Sequence, residues 1–288
     1  MRPLGSDAHD KMRTWLISEM KKYADKTVLQ EFKYHDMPVT NVVGVFYPRD
    51  KHEAAKAPIL LMAHWDTRPI ADGPYSSERN TRFAFKDGKW SHETPIMGAN
   101  DAASGVAVLL ELARIFKLQP PLCGVILLLD DGEDYGDFLS NNHEGDGVEL
   151  GARYFAQHFT ENPIFGRPNF GILLDMVGGK NLILPREGFS QRYAPGTNEK
   201  VYNIATSMGY GSTFKNDLVQ EVGDDHVSIN EAGIPTIDLI HPLPMGEYAT
   251  TGYRYWHTLE DTVANCSAKS LKIVGEVVAE VIYRESAE

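Results

Sequence analysis

The sequence predicts an α/β fold: a single globular domain over residues 1–288, with a mixed, mostly parallel central β-sheet and helices on both faces. Short, wholly apolar segments such as Val125–Leu129 are typical of strands that are covered on both sides. These segments alternate along the chain with stretches of helical spacing. That alternation is the pattern of parallel sheets whose strands are joined by helical crossovers.

The first elements are predicted to form one side of this sheet. Ser6 is placed to cap a helix, because apolar residues recur after it at helical spacing, namely Met12, Trp15, Leu16, Met20 and Tyr23. Thr27–Tyr34 and Thr40–Tyr47 are predicted to pair as a hairpin at the sheet edge. Pro58–Ala63 is predicted as the next strand.

The stretch from Arg68 to Gly98 has no strong period and is predicted to be a long loop. Because loops of this length inside a compact domain are often functional, we expect it to form a wall of a site. Small residues then lead into a strongly helical run, which places Asp101 near a helix N-terminus. Gly105 is expected to let this helix approach its neighbour closely.

The second half of the chain continues the alternation of strands and helices. The prediction is, in order, the strand from Val125, a polar insertion over residues 138–147, a helix over Val148–His158, a strand over Phe170–Asp175, a helix over Asn198–Met208, a helix from His226 to Gly233, a strand over Pro235–Ile240, and a last helix over Ser267–Tyr283.

Composition excludes several classes of partner. The formal net charge of -12 argues against nucleic acid and against an anionic membrane surface, since both require a basic patch. No apolar run approaches the roughly 20 residues that cross a bilayer. The start of the chain lacks the apolar segment of a signal peptide. Two cysteines are too few for a disulfide framework.

The strand from Val125 ends abruptly in four acids, Asp130, Asp131, Glu133 and Asp134. Such neighbours repel one another and need a cation, protons or bulk water. Gly132 lets the backbone turn, so Glu133 and Asp134 can point in different directions. One is then free to bind a metal while the other acts as a base. A solvated acidic turn is the alternative.

Other polar residues follow predicted strands in the same way. In open α/β sheets, ligands bind beyond the carboxyl ends of the strands. His64, Asp134 and Asp175 each lie just past such an end. These three side chains are therefore expected to lie close together, and Asp101 and His257 can complete the group of polar side chains around a site.

The ordered motifs resemble those of the zinc-dependent exopeptidases of the M28 clan, and within that clan the bacterial glutaminyl cyclases. The resemblance covers nearly the whole chain and rests on His64-x-Asp66, Gly98-Ala99-Asn100-Asp101, Asp131-Gly132-Glu133-Asp134, Leu174-Asp175-Met176, Asp224-Asp225-His226 and Trp256-His257-Thr258. The Asp224 and Trp256 motifs look cyclase-like, whereas clan aminopeptidases usually carry a serine in place of Asp224.

The resemblance implies a role for each of these residues. Glu133 is implied as general base, and Trp256 as a wall of the substrate pocket. Asp175 and Asp224 are implied to share a proton and to bind a nitrogen of the substrate. The implied ligands of a single zinc ion are Asp101, Asp134 and His257.

The implied reaction is cyclisation of an N-terminal glutamine of a peptide or protein to pyroglutamate, with release of ammonia. An extracytoplasmic location, periplasmic or secreted, is implied by the same resemblance. A dinuclear aminopeptidase is the alternative, in which His64 and Asp175 bind a second zinc and Asp101 bridges the two ions. A non-enzymatic binding protein with a decayed site is disfavoured, because Glu133 is intact beside intact ligands.

Individual residues also have purely structural interpretations. His64 is expected to be a structural histidine if one zinc is bound, and Trp256 to be core if it does not face a pocket. Asp66 is expected to orient a neighbouring ligand. His226 is expected to pack or hydrogen-bond rather than to bind metal. His143, His158 and His241 are expected to be ordinary surface or loop residues.

Overall fold

The structure, a computed structural model, describes residues 1–49, 57–138, 147–162 and 164–285. Most of the polar insertion predicted at residues 138–147, including His143, lies outside these ranges. In chain order the helices and strands are α1 (Asp7–Tyr23), β1 (Lys26–Tyr34), β2 (Met37–Phe46), β3 (Ile59–His64), β4 (Phe85–Lys86), β5 (Lys89–Trp90), α2 (Ala103–Leu118), β6 (Val125–Asp130), α3 (Leu150–His158), β7 (Phe170–Asp175), β8 (Leu184–Arg186), α4 (Gly188–Tyr193), α5 (Pro195–Ser207), β9 (Phe214–Leu218), α6 (Asp225–Glu231), β10 (Thr236–Ile240) and α7 (Ala268–Glu285).

The main sheet has the strand order β1-β2-β6-β3-β7-β10. Strands β6, β3, β7 and β10 run parallel to one another, and β1 and β2 form an antiparallel hairpin at the edge. The prediction of a mixed, mostly parallel sheet with an edge hairpin is therefore confirmed. Within the parts of the chain that the structure describes, no helix combines the length and apolar character needed to cross a membrane.

Helices cover both faces of the sheet, as predicted. On one face α1, α2, α5 and α7 pack around alternate strand residues such as Leu127. On the other face α3 and α6 contribute Phe155 and Ile229, which contact the cluster around Leu128. Neighbouring residues of β6 point to opposite faces, so each apolar strand contributes to both core layers. Fully burying each such side chain stabilises the fold by about 1.5–3 kcal/mol.

Two glycines place the loops that the site depends on. A Cβ atom at Gly105 would lie 2.1 Å from the carbonyl oxygen of Leu174, so α2 lies directly on the carboxyl end of β7. The predicted close approach is confirmed. Gly132 has a φ of +74°, which confirms the sharp turn after β6.

Several local predictions were incomplete or wrong. Ser6 caps α1 as predicted, since its side chain accepts a hydrogen bond from the His9 N–H. Trp15 lies in α1 at the predicted spacing and is 46% exposed, so this apolar residue of the helix lies outside the core. The stretch from Arg68 to Gly98 contains the hairpin of β4 and β5, and β8, β9 and α4 were not predicted. These elements are short and partly polar, so they carry little periodicity.

Candidate metal centre and substrate cavity

Three parallel strands deliver polar residues to one edge of the sheet. His64 is the last residue of β3 and lies opposite Asp130, the last residue of β6, in the strand register. Asp175 is the last residue of β7. Since these strands are parallel, their carboxyl ends meet at one edge, as the sequence predicts.

The first cluster at this edge joins Asp101, Asp134 and His257. Each residue offers one ligand atom, and these atoms lie within 4.8 Å of one another. The Nε2 atom of His257 is 2.9 Å from Asp134 Oδ1 and 3.7 Å from Asp101 Oδ2. All three residues are buried. The structure thus brings together the three predicted zinc ligands, and their binding of a metal remains a prediction.

A second cluster lies beside the first and shares Asp101 with it. It consists of His64, Asp101 and Asp175, whose ligand atoms also lie within 4.8 Å of one another. The Nε2 atom of His64 is 3.1 Å from Asp101 Oδ1 and 3.6 Å from Asp175 Oδ1. Asp101 therefore turns one oxygen toward each histidine. This is the arrangement that the dinuclear alternative requires.

The acceptor atoms of the first cluster fit a cation. Among the residues that the structure describes, none donates a hydrogen bond to Asp101 Oδ2 or to either carboxylate oxygen of Asp134. The 2.9 Å contact between His257 and Asp134 is therefore not aligned as an N–H···O hydrogen bond. Buried carboxylate oxygens without donors are unfavourable unless a charge compensates them. Two carboxylates and one imidazole are a ligand set that catalytic zinc uses, with a fourth position left open.

The charges of this cluster shift one another's pKa values. Burial disfavours ionised Asp101, and the Asp134 carboxylate adds to this, so the pKa of Asp101 rises to about 7. Burial would also raise the pKa of Asp134, but His257 outweighs it and lowers that pKa. Burial disfavours the His257 cation, yet Asp134 raises the pKa of His257 to about 9. The Asp134 carboxylate thus favours a positive charge on its neighbour His257, which shows that this cluster attracts cations.

Glu133, the predicted general base, is buried beside Asp134. Burial, and then the Asp134 carboxylate, hold the pKa of Glu133 well above its usual range. A raised pKa suits a carboxylate that takes up a proton and releases it again near neutral pH. The environment of Glu133 is therefore compatible with proton transfer.

Asp175 and Asp224 form a further pair of acids at the same edge. Asp224 is the residue before α6, and its side chain accepts a hydrogen bond from the Asp225 N–H at 2.6 Å. Burial, and then the charge of Asp175, raise the pKa of Asp224 well above its usual range. Neighbouring buried carboxyl groups resist ionising together, which is what the proton shared by Asp175 and Asp224, as the resemblance implies, would require.

A cavity of about 980 Å³ opens onto these groups. Among the residues that line it are seven of the eight predicted site residues, namely Asp101, Glu133, Asp134, Asp175, Asp224, Trp256 and His257. His64 is buried behind them. The Trp256 ring is half-buried and stacks on the His257 ring with a centroid distance of 3.7 Å. Trp256 thus forms part of the cavity wall, where the sequence analysis expected a substrate contact.

Asp66 has a larger role than its sequence position suggested. Its Oδ1 atom is 3.3 Å from His64 Nδ1 and 3.2 Å from the backbone nitrogen of Glu133. Its Oδ2 atom accepts the N–H of Asp134, also at 3.2 Å. The buried Asp66 carboxylate therefore contacts both His64, at the end of β3, and the turn after β6.

A partly buried ion pair in the loop that follows β3 was not predicted from the sequence. Arg68 binds Asp72, and Asp72 in turn contacts His257. The role of Asp261 was not predicted either. Its carboxylate accepts the backbone N–H groups of Asn100 and Asp101 at 3.0 and 3.2 Å. No pattern in the sequence marks these residues, because their partners are distant along the chain or lie in aperiodic loops.

The remaining histidines have mainly structural contacts. His226 is buried and contacts Glu187 at 3.1 Å, in agreement with the expectation of a hydrogen-bonding role. His158 is half-buried and stacks on Tyr154. His241 lies in the loop after β10, as expected, but it is not a surface residue, because it is only 1% exposed and its burial lowers its pKa to about 4.

Solved structures of known proteins share this fold. A glutaminyl cyclase of Bacteroides thetaiotaomicron bound to N-acetylhistamine is 35% identical, with a TM-score of 0.82, over 98% of this chain and 91% of that one. A leucine aminopeptidase precursor from Bacteroides thetaiotaomicron VPI-5482 is also 35% identical, with a TM-score of 0.81 over the same 98% and 91% of the two chains.

Similarity to curated proteins extends over part of their length. Aminopeptidase YwaD of Bacillus subtilis strain 168 is 26% identical over 251 residues, which are 84% of this chain and 44% of that protein. The chain spans about half the length of the curated relatives it matches. The model of peptidase family M28 matches residues 41–282, which include every residue of both clusters. The chain therefore belongs to peptidase family M28.

Proposed function

We propose that this protein is a zinc-dependent glutaminyl-peptide cyclotransferase. It would convert the N-terminal glutamine of peptides and proteins to pyroglutamate and release ammonia. Asp101, Asp134 and His257 would hold one zinc ion per chain. We also propose that residues 1–288 form one M28-like domain, and that the protein acts outside the cytoplasm, as its resemblance to bacterial cyclases implies.

The observation that carries this proposal is the second carboxyl group, Asp224, which lines the cavity beside Asp175. A pair that retains one proton offers both an acceptor and a donor to the nitrogen atoms of a folded glutamine. In the dinuclear alternative, Asp175 must instead be a fully ionised ligand. The stack of Trp256 on His257 supports the proposal further, because it gives the cavity a flat apolar wall beside the metal.

The proposed reaction is intramolecular. The α-amine of the glutamine attacks its own side-chain carbonyl carbon, a C–N bond forms, and the bond to the amide nitrogen breaks. Zinc, when bound, polarises that carbonyl as a Lewis acid. Glu133 accepts the proton that the amine loses and transfers it to the departing nitrogen, which leaves as ammonia. Asp175 and Asp224 hold the nitrogen atoms in place, and Trp256 limits the access of water.

A second candidate function is a dinuclear aminopeptidase, which would hydrolyse N-terminal residues. The observation that favours it is the cluster of His64, Asp101 and Asp175, which supplies the ligand atoms of a second metal site. In that enzyme Glu133 would activate water instead of an amine. The two candidates thus share the first metal site and differ in the occupant of the second cluster.

Zinc titration combined with two substrates separates the candidates. Metal-free protein would be titrated with zinc while ammonia release from a glutaminyl peptide and arylamine release from a leucyl arylamide are followed. The cyclase predicts ammonia release that is complete at one zinc per chain. Cleavage of the arylamide that is complete only at two zinc ions, without ammonia release, would overturn our proposal in favour of the aminopeptidase.

A further inference from the structure

Arg68 and Asp72 form a partly buried ion pair in the loop between β3 and α2. Arg68 Nε donates to Asp72 Oδ1 at 3.2 Å, and a terminal nitrogen of the same guanidinium donates to Asp72 Oδ2 at 2.8 Å. Arg68 is only 1% exposed. Such a two-point contact fixes the plane of the carboxylate as well as its position.

The fixed carboxylate contacts the predicted zinc ligand His257. Asp72 Oδ1 lies 3.2 Å from His257 Nδ1, while His257 Nε2 lies 2.9 Å from Asp134 Oδ1. Because the carboxylate is an acceptor, this contact places a proton on Nδ1. The lone pair of Nε2 is then free to bind a metal, which is the role that carboxylates commonly have behind metal-binding histidines.

The backbone of the loop also packs against the His257 segment. The Gly73 N–H donates to the His257 carbonyl oxygen at 2.9 Å. A Cβ atom at position 73 would lie 2.2 Å from the carbonyl oxygen of Trp256, so only glycine allows this approach. Backbone packing therefore fixes the distance between Asp72 and His257 independently of the side-chain contact.

The guanidinium of Arg68 reaches the second zinc ligand through the backbone. One of its terminal nitrogens donates to the carbonyl oxygens of Asp134 and Gly136 at 3.0 and 2.6 Å. Its central carbon also lies 4.9 Å from the centroid of the Phe138 ring, and Phe138 lines the cavity. The Arg68 guanidinium thus contacts the turn that contains Asp134, the cavity-lining residue Phe138, and Asp72.

We propose that Arg68 and Asp72 are positioning residues, which hold His257 and Asp134 in the orientation and tautomer that bind zinc. This inference rests on the proposed zinc site, although it does not depend on which reaction the zinc supports. The loop from Arg68 to Gly98 was predicted to form a wall of the site, but none of its residues is among those that line the cavity; its contacts place it behind His257 and Asp134 instead.

The test measures zinc affinity by competition with a chromogenic chelator, in the wild type and in the Asp72→Asn variant. Asparagine preserves the size of the side chain but removes its charge, and we expect zinc affinity to fall by about 10–100-fold. Glu187→Gln is the control, because Glu187 is likewise an acid that contacts a histidine, His226, and neither residue belongs to the two clusters of ligand atoms. It should leave zinc affinity unchanged. Equal affinity in Asp72→Asn and the wild type would overturn the inference.

A second measurement does not depend on folding of a variant. In zinc-loaded, ¹⁵N-histidine-labelled wild-type protein, we expect the His257 signals to report a protonated Nδ1 and a metal-bound Nε2. The opposite tautomer would overturn the inference. A wild type that binds no zinc would remove both this inference and the proposed function. Zinc binding that weakens in Asp72→Asn, without any ammonia release by the wild type, would uphold the inference and remove only the cyclase.

Discussion

The carboxylate of Asp66 accepts a hydrogen bond from the backbone N–H of Glu133 at 3.2 Å. The same side chain accepts the N–H of Asp134 and contacts His64. It therefore fixes the backbone of Glu133, the proposed base, and of Asp134, a proposed ligand. Asp66 is completely buried. Water therefore cannot replace it as an acceptor if the side chain is changed.

In Asp66→Asn one acceptor oxygen becomes an N–H donor, so a buried backbone N–H loses its partner. We expect the free energy of unfolding to fall by about 1–3 kcal/mol, measured by urea denaturation. Asp25→Asn is the control, since Asp25 accepts the Tyr47 N–H at an exposed site, and we expect a change within about 0.5 kcal/mol. Equal losses in the two variants would contradict this view of Asp66.

Glu133→Gln removes the proposed proton acceptor while it preserves the shape of the side chain. We expect ammonia release from a glutaminyl peptide to slow by about 100-fold or more, with one zinc still bound per chain. Turnover and zinc content should be measured on the same preparation. Glu111→Gln, on the exposed side of α2, should leave both unchanged. Wild-type turnover in Glu133→Gln would exclude Glu133 from the mechanism.

Gly105→Ala and Gly275→Ala test the contact between α2 and β7. A Cβ atom at Gly105 would meet the Leu174 carbonyl oxygen at 2.1 Å, whereas at Gly275 the nearest atom would be 3.8 Å away. We expect Gly105→Ala to destabilise the protein by about 1–3 kcal/mol through overpacking. Gly275→Ala should stabilise it by about 0.4–1 kcal/mol, because alanine restricts the unfolded chain. Thermal unfolding of both variants gives the comparison, and a stable Gly105→Ala would show that α2 can move.

The buried contact between Asp225 and Asp130 should make the protein less stable as pH rises. Burial, and then the charge of Asp130, hold the pKa of Asp225 well above its usual range, so the folded state binds a proton at this position more tightly than the unfolded state does. An acid with a raised folded-state pKa stabilises the fold less as pH rises above the unfolded value. In Asp225→Asn no proton is taken up at this position. We therefore expect the stability of Asp225→Asn relative to the wild type to be greater at about pH 8 than at about pH 5, measured by urea denaturation.

The fold was predictable from the sequence where burial is complete. Strands such as β6 and β7 are apolar on both faces, so their residues identify them without any contact information. The hairpin of β4 and β5 has only two residues per strand, and β9 is mostly exposed. Segments of that kind take their conformation from the rest of the fold, and a single sequence carries no signal for them.

The residues of the candidate site likewise fall into those that the sequence predicts and those that it does not. His64 and Asp175 end β3 and β7, and Glu133 and Asp134 follow β6, so the topology of the sheet predicts that they meet. Arg68, by contrast, lies in an aperiodic loop, and its contacts with Asp72 and the Asp134 backbone depend on the path of that loop. Tertiary packing decides such contacts, and neither composition nor spacing reports it.

The site draws Asp101 and His257 from segments separated by more than half of the chain. During synthesis, a ribosome exposes the first two carboxylates long before the imidazole emerges. An unfinished polypeptide therefore carries an acidic edge without its nitrogen donor. Metal binding at the first cluster would then follow the emergence of His257, and a product truncated ahead of that residue would lack the imidazole of this cluster.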